Sequence, residues 1–202
     1  MIDTKALRQK ILDLAIRGKL VPQDPDDEPA SVLLERIRQQ KQQMVKEGKL
    51  KPKDIKNDSV IFVGEDNLHY EKFADGSVKC IEDEIPFDIP GSWAWTRIKT
   101  VSVDLPYGTS KKSNSSGKVA VLRMGNLQDG EIDYSDLVYS SDEADIEKYY
   151  LLENDLLFNR TNSAEWVGKT SIYRGDTPAI YAGYLIRIRT PLCGEYLNAV
   201  MN

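Results

Sequence analysis

The sequence predicts an α+β protein in which an N-terminal helical hairpin precedes a β-rich domain, and three observations carry that expectation. Apolar side chains recur at helical spacing over residues 4–17 and again over 31–47. From Ser59 onward the repeat shortens to two, as it does in half-buried strands. Turn-forming pairs and clusters, from Asp75-Gly76 to the serine-rich stretch 108–118, then divide the chain into short extended segments. A chain of 202 residues can bury a core without disulfides, and the division expected is a helical arm over 1–58 and a β-rich domain over 59–202.

In the first helix, Leu7, Ile11 and Leu14 fall at i, i+4 and i+7, and Gly18 supplies the C-terminal stop. The link LVPQDPDDEPA holds three prolines and four acids, so it reads as an extended turn. Ser31 is the expected N-cap of the second helix, which gathers Leu33, Leu34, Ile37, Met44 and Val45 near one face. Stripes of this size do not stand free in water, so the helices should pack on each other and on something else. Residues 46–58 are lysine-rich and read as a solvated hinge, with a basic tether beside a phosphate backbone as the functional alternative.

Beyond Ser59, SVIFVG reads as a strand and LHYEKFADGSVKCI as a hairpin turning at Asp75-Gly76. EIPFDIPGSWAWTRI should lead into the main domain with Trp93 and Trp95 on one face of a strand. Further strands are expected at Val119–Met124, at TSIYRG and in AIYAGYLIRIRT, and a helix begins in CGEYLNAVMN. Between them, the Gly-, Ser- and Lys-rich loop 108–118 is flexible enough to follow a phosphate backbone, and Arg123 and Asn126 sit at a strand mouth.

The stretch NDLLFNRTNSAEWVGKT, residues 154–170, organises the rest. Its apolar run Leu156–Phe158 ends in Asn159, Arg160, Thr161, Asn162 and Ser163, which offer nearly every kind of hydrogen-bonding head group. Asn and Arg carry planar forks that match adenine and guanine edges, while Ser and Thr suit phosphates and either base. Nucleic-acid readout is therefore the first functional hypothesis, and an ordinary polar loop the alternative. Gly168-Lys169-Thr170 has the form of a Walker-loop end, but Ser163 stands where that loop needs its first glycine.

Net charge is −5, yet the charge is segregated. Residues 97–123 carry six Lys or Arg against one acid, whereas 129–155 carry ten acids against one lysine. On a DNA reader the first belongs on the DNA face, and the second should point away or meet a protein partner. Catalytic classes lack their residues. His69 is the only histidine, Cys80 and Cys193 form no ligand pattern, and Asp155, Glu165 and Lys169 have the wrong spacing for a metal-dependent nuclease. Asp104-Leu105-Pro106-Tyr107 departs from the amino-methyltransferase signature at its second position, and no glycine-rich cofactor loop precedes it. The N-terminus lacks an apolar signal core and no apolar run reaches the ~18 residues of a membrane span, so a cytoplasmic, membrane-free protein is expected.

The blocks LRQKILDLAIRGKLVPQDPDDEPASVLLERIRQQKQQ, FDIPGSWAWTRI, LRMGNLQDGEID, NDLLFNRTNSAEWVGKT and AGYLIRIR, in this order, resemble the specificity subunit of type I restriction-modification enzymes. The resemblance implies a noncatalytic subunit that reads double-stranded DNA and directs methyltransferase and restriction subunits to it. In that family long helices space the recognition domains and are clasped by methyltransferase subunits, a contact that Leu7, Ile11, Leu14, Leu33, Leu34 and Ile37 would make here. S-adenosylmethionine, ATP and Mg would belong to partner subunits. A full specificity subunit carries two recognition domains, so a chain with one is expected to self-associate as a half-subunit or to form part of a larger protein. The expected DNA contacts are Thr109, Ser110, Lys111, Lys112, Arg123, Asn126, Asn159, Arg160, Thr161, Asn162, Ser163 and Lys169.

Overall fold

A computed structural model of the chain describes residues 3–161 and 164–202. It is a mixed α/β structure built from short strands, as the α+β expectation requires, and it forms two compact units, Met1–Val101 and Ser102–Asn202.

In the first unit, α1 (Thr4–Ile16) is capped by the Asp3 carboxylate, which accepts from the Lys5 and Ala6 amides. No residue of α1 is buried; Leu7 and Ile11 are 51% and 43% exposed. The acid- and proline-rich link is irregular, as expected, and runs along residues 87–93. Arg17 lies 4.6 Å over the Phe87 ring, Trp93 Nε1 donates to Gln23, and the Ala30 amide donates to the Ser92 carbonyl. The second helix, α2 (Ala30–Lys46), starts one residue before the expected Ser31 cap. Pro29 occupies the N-cap position; its hydrocarbon ring has no group to cap an amide, and its fixed φ sets the entry angle. Ile37 and Lys41 are buried one turn apart, and Lys41 reaches Asp58 at 2.5 Å and the carbonyls of Lys99 and Thr100. Those contacts join α2 to α3 (Pro52–Ile55), a single turn inside the stretch read as a hinge, and to α4 (Ile98–Val101).

Strands β1 (Val60–Val63), β2 (His69–Lys72) and β3 (Val78–Cys80) form an antiparallel sheet in that order, with the hairpin turning at Asp75-Gly76 as read. The sheet is tied to the rest of this unit by buried Glu71. Its carboxylate accepts from Ser59 Oγ and from Arg97, whose shortest contact is 2.5 Å. Beneath the same strands, Trp93 and Trp95 do not lie on a strand. Pro90 opens a turn closed by the Trp93 amide, and residues 93–97 stay irregular, with Trp95 packed on Phe87 at 5.2 Å between ring centroids.

The second unit opens with an extended segment, 103–109, that bridges to later strands through Asp104 with Arg189, Tyr107 with Ile186 and Thr109 with Ala182. Then follow β4 (Val119–Leu122), β5 (Leu127–Gln128), β6 (Glu131–Ile132), β7 (Val138–Ser140), α5 (Glu143–Tyr149), β8 (Leu156–Asn159), β9 (Thr170–Ile172), β10 (Ala179–Tyr181), β11 (Leu185–Ile188) and α6 (Gly194–Met201). The sheets are β10-β4-β7, with β10 parallel to β4, antiparallel β11-β8-β9, and the β5-β6 pair.

The uninterrupted apolar run of β4 is buried on both faces. Ala120 and Leu122 join Leu127, Leu157, Tyr181 and Leu185, while Val119 and Val121 pack with Ile180, Val138 and Ile146. Each of the larger aliphatic side chains contributes about 1.5–3 kcal/mol by leaving water. This core fixes the register of β4, β8 and β10, which are followed by Arg123, by Arg160 and by the 182–184 turn.

Candidate nucleic-acid interface

Within the second unit, those strand ends surround one open cleft of about 420 Å³. It is lined by Thr109, Ser110, Lys111, Ser113, Arg123, Arg160, Ala182, Gly183 and Tyr184. Parallel β4 and β10 deliver Arg123 and Ala182 side by side, and the Ala182 amide donates to the Leu122 carbonyl at 2.9 Å. Strand β8 delivers Arg160, and the extended segment delivers Thr109–Ser113. The floor is a backbone contact that only glycine permits. A Cβ on Gly108 would collide with the Tyr181 and Ala182 carbonyls, the latter at 2.6 Å, and one on Gly183 would stand 3.0 Å from the Thr109 carbonyl.

Five expected contacts, Thr109, Ser110, Lys111, Arg123 and Arg160, thus meet in one place although they span 52 positions of sequence. Others have different work. Asn159 is fully buried, and its amide donates to the Thr161 and Trp166 carbonyls, so it ties those two residues to the end of β8. Asn126 is buried as well, bonded to the Arg123 amide and to the Asp133 and Asp136 carbonyls. Neither presents its fork outward, which corrects the expectation that they approach bases. A buried amide must satisfy its groups inside the fold. Thr161 is half-buried against Asn159, and Thr109 is buried with its hydroxyl on Asp145. Lys112 is exposed outside the cleft lining, and Lys169 lies 4.1 Å over the Trp166 ring. Asn162 and Ser163 lie outside the described residues.

The charge segregation seen in sequence is undone in space. Strand β7 pairs with β4, and the Asn114 and Lys118 amides bond to the Tyr139 and Ser140 carbonyls, so the acidic segment runs beside the basic loop. Lys111 contacts Asp142 at 2.7 Å and Asp145 at 3.4 Å, Arg123 contacts Asp136 at 2.8 Å, and Lys118 pairs with Glu143. The Asp142 hydrogen bond, more than any other contact, raises the Lys111 pKa, and the same bond lowers that of Asp142. Both groups are therefore charged at neutral pH. Arg160 differs: its guanidinium lies 4.5 Å over the Tyr107 ring, and among the described residues it has no carboxylate partner.

Sequence reasoning missed the 182–184 turn, Tyr107 and the acids at the cleft. Gly183 inside an apolar run was the available signal for the turn. Nothing local to the sequence pairs Asp142 with Lys111. In the first unit, Leu7 and Ile11 are exposed and Leu14, Leu33 and Leu34 are half-buried, so all can meet a partner. Ile37 is 1% exposed and is core, which corrects its place among the partner contacts. Among the described residues no cluster of His, Cys, Asp or Glu is placed to hold a metal ion, and no helix is long and apolar enough to cross a membrane.

No protein-family model matches the chain. Among known proteins it is 37% identical to the EcoAI type I restriction enzyme specificity subunit of Escherichia coli, over 98% of this chain and 30% of that protein. It is 40% identical to the EcoEI specificity subunit of Escherichia coli over 50% of the chain and 14% of that protein. A third relative, the MjaX specificity subunit of Methanocaldococcus jannaschii, itself named only provisionally, is 31% identical over 52% of the chain and 25% of its own length. The chain therefore spans less than a third of these relatives. Over nearly all of its residues it is similar to a stretch of a type I restriction enzyme specificity subunit.

Proposed function

We propose that this chain is a noncatalytic, sequence-specific DNA-recognition module of a type I restriction-modification system. The observation that carries this reading is the convergence of Thr109, Ser110, Lys111, Arg123 and Arg160 on one cleft, in a chain whose relatives are specificity subunits. The helical arm, residues 1–58 and read as a hairpin, serves assembly, and the β-rich remainder reads DNA. Arg160 approaches a base edge, Lys112 and Lys169 neutralise phosphates, and Lys111 joins them when phosphate displaces Asp142. Asn126, Asn159 and Thr109 hold the loops that present these groups.

Leu7, Ile11, Leu14, Leu33 and Leu34 dock methyltransferase subunits, and restriction subunits join through the assembled complex. Chemistry dependent on S-adenosylmethionine, ATP and Mg belongs to those partners. A second copy of the chain supplies the other half of a split site.

One observation favours a second reading, an assembly subunit that never touches DNA: the carboxylates of Asp136 and Asp142 already occupy Arg123 and Lys111. Selection from a random duplex pool at two salt concentrations, followed by sequencing, separates the two. Recovery of a short motif with salt-sensitive affinity is expected. Failure to retain any duplex at low salt would favour the assembly subunit.

A further inference from the structure

We infer that Tyr107 is a specificity-positioning residue that presents the Arg160 guanidinium edge-on to a guanine, an inference that rests on the DNA-reading function proposed above. The geometry of the pair carries it. The guanidinium carbon of Arg160 lies 4.5 Å from the centroid of the Tyr107 ring, and both side chains are exposed. Attraction to the ring face engages the charge of the guanidinium rather than a hydrogen-bond acceptor, so N–H donors remain for another partner. The other cations that line the cleft have donors in use: Arg123 is held by Asp136 and Lys111 by Asp142 and Asp145. Arg160 is thus the one lining cation that no carboxylate holds among the described residues.

The platform is rigid where the arginine is not. Tyr107 bridges Ile186 of β11, and the residues on either side of it are anchored. The Pro106 carbonyl accepts from the Arg187 amide at 3.1 Å and from the Tyr181 hydroxyl at 3.3 Å, and the Thr109 amide donates to the Tyr181 carbonyl at 2.9 Å. Between them Gly108 is pressed so close to β10 that no side chain fits. Arg160, by contrast, is the first residue of a loop and would otherwise sample many rotamers. Stacking on a fixed ring removes part of that entropy before DNA arrives, so readout loses less on binding. A planar fork held this way matches the O6 and N7 acceptors of guanine in the major groove, the commonest specific contact that arginine makes.

The test is parallel selection from a random duplex pool with the 202-residue chain and its Arg160→Ala, Tyr107→Ala and Tyr107→Phe variants, each first shown to be folded by circular dichroism. In the unsubstituted chain one motif position is expected to be a G·C pair. Arg160→Ala should relax that position by roughly 5- to 150-fold, the discrimination of one bidentate contact. Tyr107→Ala should relax the same position and leave the others intact, whereas Tyr107→Phe, which keeps the ring, should retain the preference. The inference is overturned if Tyr107→Ala leaves unchanged a position that Arg160→Ala relaxes, if it erodes every position equally, or if the Arg160-dependent position is not guanine. A pool with no enriched motif in the unsubstituted chain would instead remove the DNA-reading function itself, and the inference with it.

Discussion

If the cleft binds DNA as proposed, Asp142 should compete with it for Lys111, and removing Asp142 should steepen the salt dependence of binding. The lysine ammonium stands 2.7 Å from the Asp142 carboxylate and 3.4 Å from Asp145, whose other oxygen accepts from Thr109. A phosphate that engages Lys111 must first displace the nearer carboxylate, so in the unsubstituted chain this contact releases little counterion. Asp142→Asn removes that charge and keeps the side-chain shape that caps α5. One added phosphate contact increases the slope of log K against log salt by about 0.9, which is a further loss of roughly 3.5-fold between 50 and 200 mM salt. Fluorescence anisotropy with a random duplex across that range measures the slope. Glu147→Gln is the control, since it makes the same charge change on α5 at an exposed residue without an ion pair among the described residues. If both variants raise affinity with unchanged slope, the effect is one of net charge. A slope in Asp142→Asn equal to or shallower than that of the unsubstituted chain would refute the competition.

Other perturbations follow from the same structure. Lys112→Ala should weaken binding to all sequences alike and flatten the salt slope by up to about 0.9 without changing any motif position, checked by the same titrations. Lys41→Ala leaves Asp58 without its buried partner and should destabilise the first unit by about 3–5 kcal/mol in urea unfolding, whereas Lys41→Met, which keeps the packing, should cost less. Arg97 holds the Glu71 carboxyl below its ordinary value of 4.5, so the unfolded chain binds more protons than the folded one below that pH. The stabilisation from Glu71 is therefore present above about pH 4.5 and fades as pH falls through the lowered folded value. Glu71→Gln should cost about 2 kcal/mol at pH 7 and progressively less toward acid; a cost that does not change with pH would rule the ion pair out as its source. Gly108→Ala should splay the cleft floor and abolish motif recovery while the protein still folds, as the added methyl meets two backbone carbonyls.

Period and turn chemistry were enough to locate α1, α2, the β2-β3 hairpin and several short strands of the second unit, though not β7 or α5 in the acidic segment, because those signals act over a few residues. They were also enough to mark the 159–163 junction, where an apolar strand gives way to polar groups. What they could not supply was orientation at the strand ends. Asn159 and Arg160 are adjacent and equally polar in sequence, but β8 runs between β9 and β11, so its last residue is enclosed and the next one is free. Asn126 resembles a reader for the same reason and serves instead to close a tight turn. The tryptophans of 93–95 alternate like strand residues, yet among the described residues 93–97 pair with no strand and follow the turn that Pro90 opens. Pairing of the acidic segment with the basic loop arises from the antiparallel register of β4 with β7, a long-range feature that charge counting along the chain does not contain.

The most direct test of the cleft as the DNA-contacting surface is site-specific photocross-linking. A photoreactive side chain at Ser110, exposed and lining the cleft, is compared with one at Asp176, exposed at the opposite end of β10. Irradiation with labelled duplex carrying the selected motif should cross-link the Ser110 derivative efficiently, with loss of the adduct at high salt, and leave the Asp176 derivative near background. Equal labelling of both, or labelling of Asp176 alone, would contradict recognition through this cleft.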